Sequence, residues 1–516
     1  MRRALRAFGP LPALAIAGVL LALLVLAAPA ARASELEDTL LRLAERALAE
    51  GDLRTARSRY ERALALRPGS PAAHGGLGAV ALREGDEPAA LRHFEAALAN
   101  EPATRAARLG MAEILERRGE RAAAAAQLQA GLAHAPLDAE LHERLFAVTG
   151  LAPPGGPDDP SAVRARAAAH PYDPRAQLAL ARLLVARGDA AAARVALETA
   201  LLVADLAPEV APEAAGVLAG LAGEDARRRF VPVHVWADQT VRAQPGWSFE
   251  LRIAWGRAAA GLAPVLETTF VPVALHEFSS EDAGDDLVSI QQAMLAKIER
   301  SPLEGIVAGF TRRASPRTAS DSRLGQASYL GRELVVRMDP ADEQGRTLAH
   351  EVLHLYGAIH VSPEIPSLMN PMGGAWTLDP YNAALLAITR ERRFGPGSVE
   401  RNVLERVDEA ALADALVAAL GVNVALRNAG LREAMEEART SRVAAALAAR
   451  EAIGQDPHLA DVSRLTAAVL LRRERAAEAV TMMENAARLY GPATPAGRAA
   501  QAEADRWRAA YKRFLR

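Results

Sequence analysis

Cysteine is absent from this chain of 516 residues. Its absence excludes disulfide bonds and metal sites built on thiolate ligands. Stability must therefore come from packing and hydrogen bonding, and any metal ion must be held by histidine, aspartate or glutamate.

Aromatic residues and excess positive charge are scarce as well. Aromatic side chains make up 4% of the sequence, and the formal net charge is −2. Nucleic-acid binding needs cationic groups that neutralise phosphates, and single-stranded ligands also stack on aromatic rings. We therefore expect no nucleic-acid partner. The length predicts a multidomain protein, because a single core rarely extends over so many residues.

Long hydrophobic runs are missing except at the N-terminus. An apolar run over 11–28 is preceded by basic residues and followed by small ones: Arg2, Arg3 and Arg6, then Ala31 and Ala33. This order is typical of a secretory signal peptide, here 1–33, and predicts a periplasmic or secreted bacterial protein with no membrane span after cleavage. The alternative is an uncleaved anchor. Pro10 and Pro12 disfavour it, because they shorten the run below the roughly 20 apolar residues of a membrane span.

A period of 34 residues follows the signal segment. One landmark of this period is a glycine that precedes an acidic residue, at Gly51, Gly85 and Gly119. The other is a proline further along each repeat, at Pro68, Pro102 and Pro136. Small and bulky residues recur in the same way, at Ala56, Ala90 and Ala124 and at Tyr60, Phe94 and Leu128. Glycine allows a tight turn between two helices, and proline ends the second helix.

This pattern resembles tetratricopeptide (TPR) repeats. It predicts an all-α TPR solenoid over 34–222, and the alternative is a non-repeating helical bundle rich in alanine. The resemblance implies a concave face that binds a protein partner.

The pattern changes after the repeats. Alternating stretches rich in β-branched residues predict strands over 230–236 and 268–278, and shorter strands are predicted over 305–311, 326–330 and 333–338. Helical patterns over 247–260 and 287–298 complete an α/β (α+β) domain over 223–395. Weaker repeats return beyond it, where Ala445, Ala449 and Ala452 recur as Ala479, Met483 and Ala486. They predict a C-terminal α-helical TPR-like domain over 396–516.

A metal-binding pattern follows the last predicted strand, at His350, Glu351, His354, Gly357 and His360. Residues four apart share one face of a helix, so His350 and His354 can hold the same ion. Gly357 can end the helix with a positive φ and return His360 as a third ligand. Three neutral imidazoles leave one position open, which is the arrangement of a catalytic Zn²⁺ site. Glu351 lies beside them and can act as general base toward the attacking water.

Nine residues after His360 stands Met369. The histidine spacing followed by this methionine resembles the metzincin clan of zinc peptidases and its Met-turn. The resemblance implies a mixed sheet above the site, a lower helical subdomain over 379–393 and Met369 beneath the imidazoles. Val361 and Pro371 differ from the residues that mark particular metzincin families, so no tyrosine switch is expected and no family is assigned.

Two further features concern ligands. In metzincins an edge strand before the last strand pairs with extended substrate, and here it would include Ala327, Ser328 and Tyr329; a plain sheet edge is the alternative. An acidic stretch could hold Ca²⁺, but a solvated loop that caps the next helix is favoured. Its residues are Glu281, Asp282, Asp285 and Asp286.

The leading hypothesis is a zinc-dependent metalloendopeptidase that hydrolyses protein or peptide substrates and uses TPR repeats to bind a partner or substrate. The alternative is a periplasmic TPR scaffold with a weak or highly restricted peptidase domain. Hydrolysis of a non-peptide amide by the same metal chemistry stays open. Glu351 favours an enzyme, because a pure scaffold needs neither the base nor the three ligands.

Overall fold

The computed structural model describes residues 34–155, 159–221, 229–298, 304–314, 324–338, 345–371, 376–397, 399–423, 456 and 458–512. The predicted signal peptide and the positions Ala445, Ala449 and Ala452 lie outside the described residues. The chain divides into two compact units, one ending at Gly150 and one beginning at Leu151. Within the described ranges, no helix combines the length and the apolar character that a membrane crossing requires.

The first unit consists of helices joined by short turns. They are α1 (34–49), α2 (Leu53–Leu66), α3 (Pro71–Glu84), α4 (Glu87–Asn100), α5 (Arg105–Arg117), α6 (Arg121–His134) and α7 (Ala139–Thr149). The predicted turn glycines Gly51, Gly85 and Gly119 all have a positive φ, of 80°, 84° and 78°. Side-chain caps from Asp52 and Asp86 then start α2 and α4.

The period of 34 residues corresponds to a repeated contact. A Cβ atom built on Gly76 would lie 2.2 Å from the Tyr60 ring, and one built on Gly110 would lie 2.1 Å from the Phe94 ring. Both rings are buried. Each glycine therefore lets a helix approach the aromatic ring of the preceding helix, and the predicted TPR-like hairpins are confirmed.

The second unit begins with more helices, α8 (Pro160–Ala169), α9 (Pro174–Ala186), α10 (Ala190–Leu202) and α11 (Ala211–Leu221). The turn between α9 and α10 has Gly188 at φ 76°, and Asp189 caps α10. This hairpin lies within the predicted repeat region 34–222, and it belongs to the same compact unit as the sheet that follows.

The sheet has five strands, β1 (Arg229–Ala237), β2 (Thr268–Glu277), β3 (Ile306–Thr311), β4 (Gly325–Ala327) and β5 (Glu333–Arg337). Their order is β2-β1-β3-β5-β4. The first three pairings in this order are parallel, and β4 runs antiparallel to β5 at the edge. The register between β1 and β2 shifts next to Pro272, which is tolerated because β2 is the other edge strand.

Helices cover both faces of the sheet. On one face, α13 (Trp247–Leu266) and α15 (Arg346–Leu355) pack with Val233 and Val235 of β1 into one core. On the other face, α14 (Leu287–Ile298) packs against Trp236. The short α12 (Gln239–Arg242) precedes α13. Alternate residues of β1 therefore face two different cores.

Two predicted boundaries in this region were wrong. Helix α13 continues beyond 260 to Leu266, because Leu262 and Leu266 extend its buried stripe into the core. Strand β4 ends at Ala327, because the Gly331 N–H donates to the Ser328 carbonyl at 2.7 Å and closes a turn there. Ser328 and Tyr329 therefore lie beyond the edge strand.

The remaining helices are α16 (Pro380–Thr389), α17 (Val399–Asn402), α18 (Glu409–Leu420), α19 (Leu459–Arg472), α20 (Ala476–Tyr490) and α21 (Pro495–Ala510). The helices α18, α19 and α20 share a core with Tyr329, Leu330 and Ile359 of the loops around α15. The C-terminal helices are therefore packed against the α/β part and share a hydrophobic core with it.

Candidate metal centre

Helix α15 and the loop after it bring the three predicted ligands together. The Nε2 atom of His350 lies 2.9 Å from that of His360 and 3.2 Å from that of His354. The Nε2 atoms of His354 and His360 are 3.1 Å apart. All three side chains are buried. The spacing of four residues places the first two on one face of the helix, as the sequence predicts.

The chain reverses at Gly357, which has a φ of 93°. The Gly357 N–H donates to the His354 carbonyl and the Ala358 N–H to the Leu353 carbonyl, both at 3.0 Å. This pair of bonds is a Schellman motif, and it needs a left-handed residue at the position of Gly357. The reversal directs the loop back so that His360 meets the two helical histidines.

The outer nitrogen atoms of the two helical histidines are fixed by backbone carbonyls. His350 Nδ1 donates to the Leu368 carbonyl at 2.7 Å, and His354 Nδ1 donates to the Ala358 carbonyl at 2.8 Å. Since a carbonyl can only accept, these contacts place the proton on Nδ1 and leave the Nε2 lone pairs facing the third imidazole.

Burial keeps the imidazoles of His350 and His354 neutral. It lowers the pKa of His350 to about 4, against the opposing effect of the Leu368 carbonyl. Burial also lowers the pKa of His354 well below its ordinary value, and the neighbouring His360 and His350 rings add to this. The neutral imidazole is the form that binds a metal ion.

The donor set fits Zn²⁺. With Zn–N bonds of about 2.0–2.1 Å, tetrahedral geometry separates ligand nitrogens by about 3.3–3.4 Å. The observed separations of 2.9, 3.1 and 3.2 Å are close to this spacing. The Nε2 lone pairs of His350 and His354 face each other over 3.2 Å, and lone pairs this close repel unless a proton or a cation lies between them, so a metal ion fits here.

Glu351 is buried beside the histidines, with 6% of its surface exposed. It packs against the edge strand, where a Cβ atom built on Gly325 would lie 2.3 Å from Glu351 Oε1. Gly325 therefore makes room for the carboxylate, a role that the sequence did not reveal. Only the spatial proximity of β4 and α15 identifies it.

Met369 is fully buried in a tight turn. The Asn370 N–H donates to the Ser367 carbonyl at 3.1 Å and closes this turn. Leu368, inside the turn, supplies the carbonyl that accepts from His350. Ser367 Oγ donates to Asp379 Oδ2 at 2.6 Å, and Asp379 caps α16. The methionine segment therefore orients the His350 ring and connects it to the next helix.

Asn382 of α16 holds the loop that carries His360. Its Oδ1 accepts from the Ile359 N–H at 2.8 Å, and its Nδ2 donates to the Ile359 carbonyl at 2.9 Å. Asn382 is fully buried. No sequence pattern singled it out, since an asparagine in the first turn of a helix is common.

Two residues from the C-terminal part also reach the centre. The ring centroid of His458 lies 4.2 Å from that of His354, and Asp456 Oδ1 lies 3.7 Å from His360 Nδ1. Glu351, His354 and His458 offer ligand atoms within 4.8 Å of one another. No sequence signal pointed to Asp456 or His458, because both are far from the motif along the chain.

A cavity of about 310 Å³ lies between β4 and α19. Ala327, Ser328 and Tyr329, the predicted substrate strand, all line it. Tyr329 is also tied to the metal loop, because its hydroxyl donates to the Gly357 carbonyl at 2.8 Å. His458 lines the cavity as well, and its ring centroid lies 4.2 Å from that of His354, so this residue connects the wall of the cavity to the three histidines.

The acidic stretch is occupied by contacts within the protein. Asp286 accepts from the Ser289 N–H at 2.9 Å at the start of α14, and the hydrogen bonds from Ser289 lower the pKa of Asp286. Asp285 pairs with Arg313 at 2.8 Å. The described contacts are those of a loop that caps a helix.

Comparisons with known proteins identify no family. No family model and no curated protein matches the chain. Solved structures with some similarity include a TPR protein of Thermus thermophilus, with 24% identity over 35% of this chain and 98% of that chain and a TM-score of 0.20. A TPR protein of Parabacteroides merdae has 15% identity, and the match covers 45% of this chain and 91% of that chain with a TM-score of 0.20. Pseudomonas aeruginosa pilF has 19% identity, and the match covers 37% of this chain and 90% of that chain with a TM-score of 0.22. TM-scores this low do not establish a common fold, so the assignment of repeats depends on the helices described above.

Proposed function

We propose that this protein is a zinc-dependent peptidase of the metzincin type, exported from the cytoplasm, whose helical repeats bind a partner or substrate protein. One observation carries the proposal. Three buried imidazoles direct Nε2 atoms at one another over 2.9–3.2 Å, with the Glu351 carboxylate beside them. A structural role alone does not require this arrangement.

The chain's own residues divide the chemistry among them. His350, His354 and His360 would hold the ion, and the carbonyls behind them fix two of the rings. When bound, zinc supplies Lewis acidity toward a carbonyl oxygen and toward water. Glu351 takes a proton from the attacking water and delivers it to the leaving amine. Its burial keeps the carboxylate at the reacting atoms and away from bulk solvent.

The edge of the sheet offers a place for the substrate. Strand β4 pairs only with β5 in the described sheet, so an extended peptide could add beside it. The adjoining cavity would receive a side chain of that peptide. The mixed sheet, the buried Met369 turn and α16 beyond it support the metzincin type.

A protein-binding scaffold is the second candidate. The helical hairpins up to Gly150 form a compact unit of their own, and TPR-like hairpins are a fold for protein interaction. In this candidate, binding is the main function and hydrolysis is weak or restricted to one substrate.

Zinc content and cleavage, measured together, separate the two candidates. We would purify the chain from Ser34 onward and assay denatured proteins, a peptide library and a cross-linked cell-wall fragment. A Glu351→Ala variant is the control, because it removes the base and leaves the three ligands. We expect one zinc per chain in both proteins and cleavage only in the wild type.

Bound zinc without cleavage that depends on Glu351 would contradict the peptidase and favour the scaffold. Cleavage confined to the cell-wall fragment would show that the substrate is a non-peptide amide.

A further inference from the structure

The third histidine is held from the C-terminal side of the chain. Asn423 follows α18, and its Nδ2 donates to the His360 carbonyl at 3.1 Å. The same Nδ2 donates to Asp456 Oδ2 at 2.7 Å. Asp456 Oδ1 lies 3.7 Å from His360 Nδ1, which makes an ion pair only if the imidazole is protonated. Asn423 therefore bonds to the backbone of His360, and Asp456 faces its ring.

Backbone pairing supports this contact. Val361 and Asn423 form an antiparallel β-bridge, and the Ser362 N–H donates to the Val422 carbonyl at 3.0 Å. The chain directly after His360 is thus aligned with the end of α18. The position of Asn423 is set by this pairing and does not depend on its side chain alone.

Asp456 is fully buried. Its Oδ1 accepts from the His458 N–H at 2.9 Å, and its Oδ2 accepts from Asn423. Burying a carboxylate costs several kcal/mol unless charge or hydrogen bonds compensate it, so a divalent ion at the three histidines would stabilise the charged form of Asp456.

A carboxylate behind a ligating histidine orients the ring and strengthens it as a ligand. His350 and His354 have backbone carbonyls in this position, at 2.7 and 2.8 Å. For His360, the corresponding nitrogen is Nδ1, and the Asp456 carboxylate faces it. The third ligand would therefore receive its support from a residue of the C-terminal part, far away in the sequence.

We propose that Asp456, positioned by Asn423, is the outer support of the third zinc ligand, so that the C-terminal part is an integral component of the metal centre. This inference rests on the zinc site of the proposed function and does not require peptidase activity. Asp456 is a positioning residue, because it acts through His360. Zinc retention, and not only partner binding, then depends on the C-terminal part.

The test compares zinc affinity in the full chain from Ser34, measured by competition with a chelator. Asp456→Asn keeps the size of the side chain and removes its charge. We expect zinc to bind about 10- to 100-fold more weakly, the range found when such outer partners are lost. Asp461→Asn is the matched control, since Asp461 belongs to α19 and bonds to the Tyr490 hydroxyl. It should bind zinc with unchanged affinity.

Two further measurements separate positioning from a purely structural role. The metal-free Asp456→Asn protein should melt within a few degrees of the wild type, and its cobalt-loaded form should show a shifted d–d absorption spectrum. If Asp456→Asn does not fold, Asn423→Ala replaces it, with a smaller but measurable loss of zinc affinity expected.

Zinc affinity within twofold of the wild type in a folded variant would overturn the inference. A wild type that binds zinc but cleaves nothing would contradict the peptidase alone. A wild type that binds no zinc would overturn both proposals.

Discussion

At the residue scale, the site depends on side chains that do no chemistry. Gly325 has no reactive group, yet a Cβ atom at this position would overlap Glu351 Oε1 at 2.3 Å. Glu351 can occupy its place only because β4 carries no side chain there. A substitution at Gly325 therefore displaces Glu351, the proposed base, without removing any of the three histidines.

We predict that Gly325→Ala lowers kcat/KM at least tenfold while zinc content stays at the wild-type level, because the added methyl group displaces Glu351 and leaves the histidines in place. Parallel measurements of bound zinc and peptide cleavage check this. Gly216→Ala is the control, since a Cβ atom on Gly216 meets no atom within 4 Å. Unchanged activity in Gly325→Ala would show that Glu351 has another position.

Acidification should destabilise the metal-free protein. The pKa of His350 is about 4 in the folded state, and an unfolded histidine titrates near 6.5, so the unfolded state binds more protons between these values. The melting temperature of the metal-free chain should therefore fall as the pH drops from about 6.5 towards 4. His350→Gln should show a smaller fall in calorimetry. Equal falls in both proteins would mean that His350 is not buried as a neutral group.

At the scale of elements, the loop after α15 is held by α16. Asn382 makes hydrogen bonds to both the N–H and the carbonyl of Ile359, next to His360 in the sequence. The buried N–H and carbonyl of Ile359 would lose these partners if the side chain were removed.

We predict that Asn382→Ala lowers the free energy of unfolding by about 1–3 kcal/mol, the cost of unsatisfied buried polar groups. It should also weaken zinc binding, since the loop that carries His360 loses its two hydrogen bonds to Asn382. Urea unfolding and a chelator competition measure the two effects. Asn100→Ala, an exposed asparagine of α4, is the control. Zinc binding unaffected by Asn382→Ala would show that the loop holds its shape without α16.

The elements differ in how far the sequence predicts them. Helix α15, its two histidines and the return of His360 in the following loop are predicted by a local pattern, because residues four apart share a face and Gly357 can adopt a positive φ. The turn glycines of the repeats follow for the same reason. The end of β4 was missed, because a turn formed by Ser328 and Gly331 interrupts a run that still looks like a strand.

At the scale of the whole molecule, contacts across long sequence distances join segments that the sequence analysis treated separately. The second compact unit, from Leu151 onward, includes both predicted boundaries, after 222 and after 395. Asn423 and Asp456 reach His360, and Leu459 shares a core with Ile359. Such contacts have no period and no local pattern, so the sequence does not display them.

One buried ion pair connects the last repeats to the α/β part. Arg252 of α13 binds Asp205, with N–O distances of 2.7 and 2.8 Å and with 4% and 7% of the two side chains exposed. We predict that Asp205→Ala lowers the free energy of unfolding of this unit by about 3–5 kcal/mol, because it leaves a buried guanidinium without its carboxylate.

The control for Asp205 is Glu50→Ala, which breaks the exposed pair with Arg46 and should leave the free energy of unfolding nearly unchanged. Chemical denaturation of both variants checks the difference. An Asp205→Ala protein as stable as the Glu50→Ala protein would show that packing alone joins the repeats to the sheet.

The proposed zinc site consists of His350, His354 and His360 around one ion. X-ray absorption at the zinc edge of the purified full chain measures the number, type and distance of the ligands. We predict one zinc per chain with three imidazole nitrogens at about 2.0–2.1 Å, and loss of the signal in His360→Ala. A protein that binds no zinc, or a His360→Ala variant with unchanged zinc and an unchanged spectrum, would contradict it.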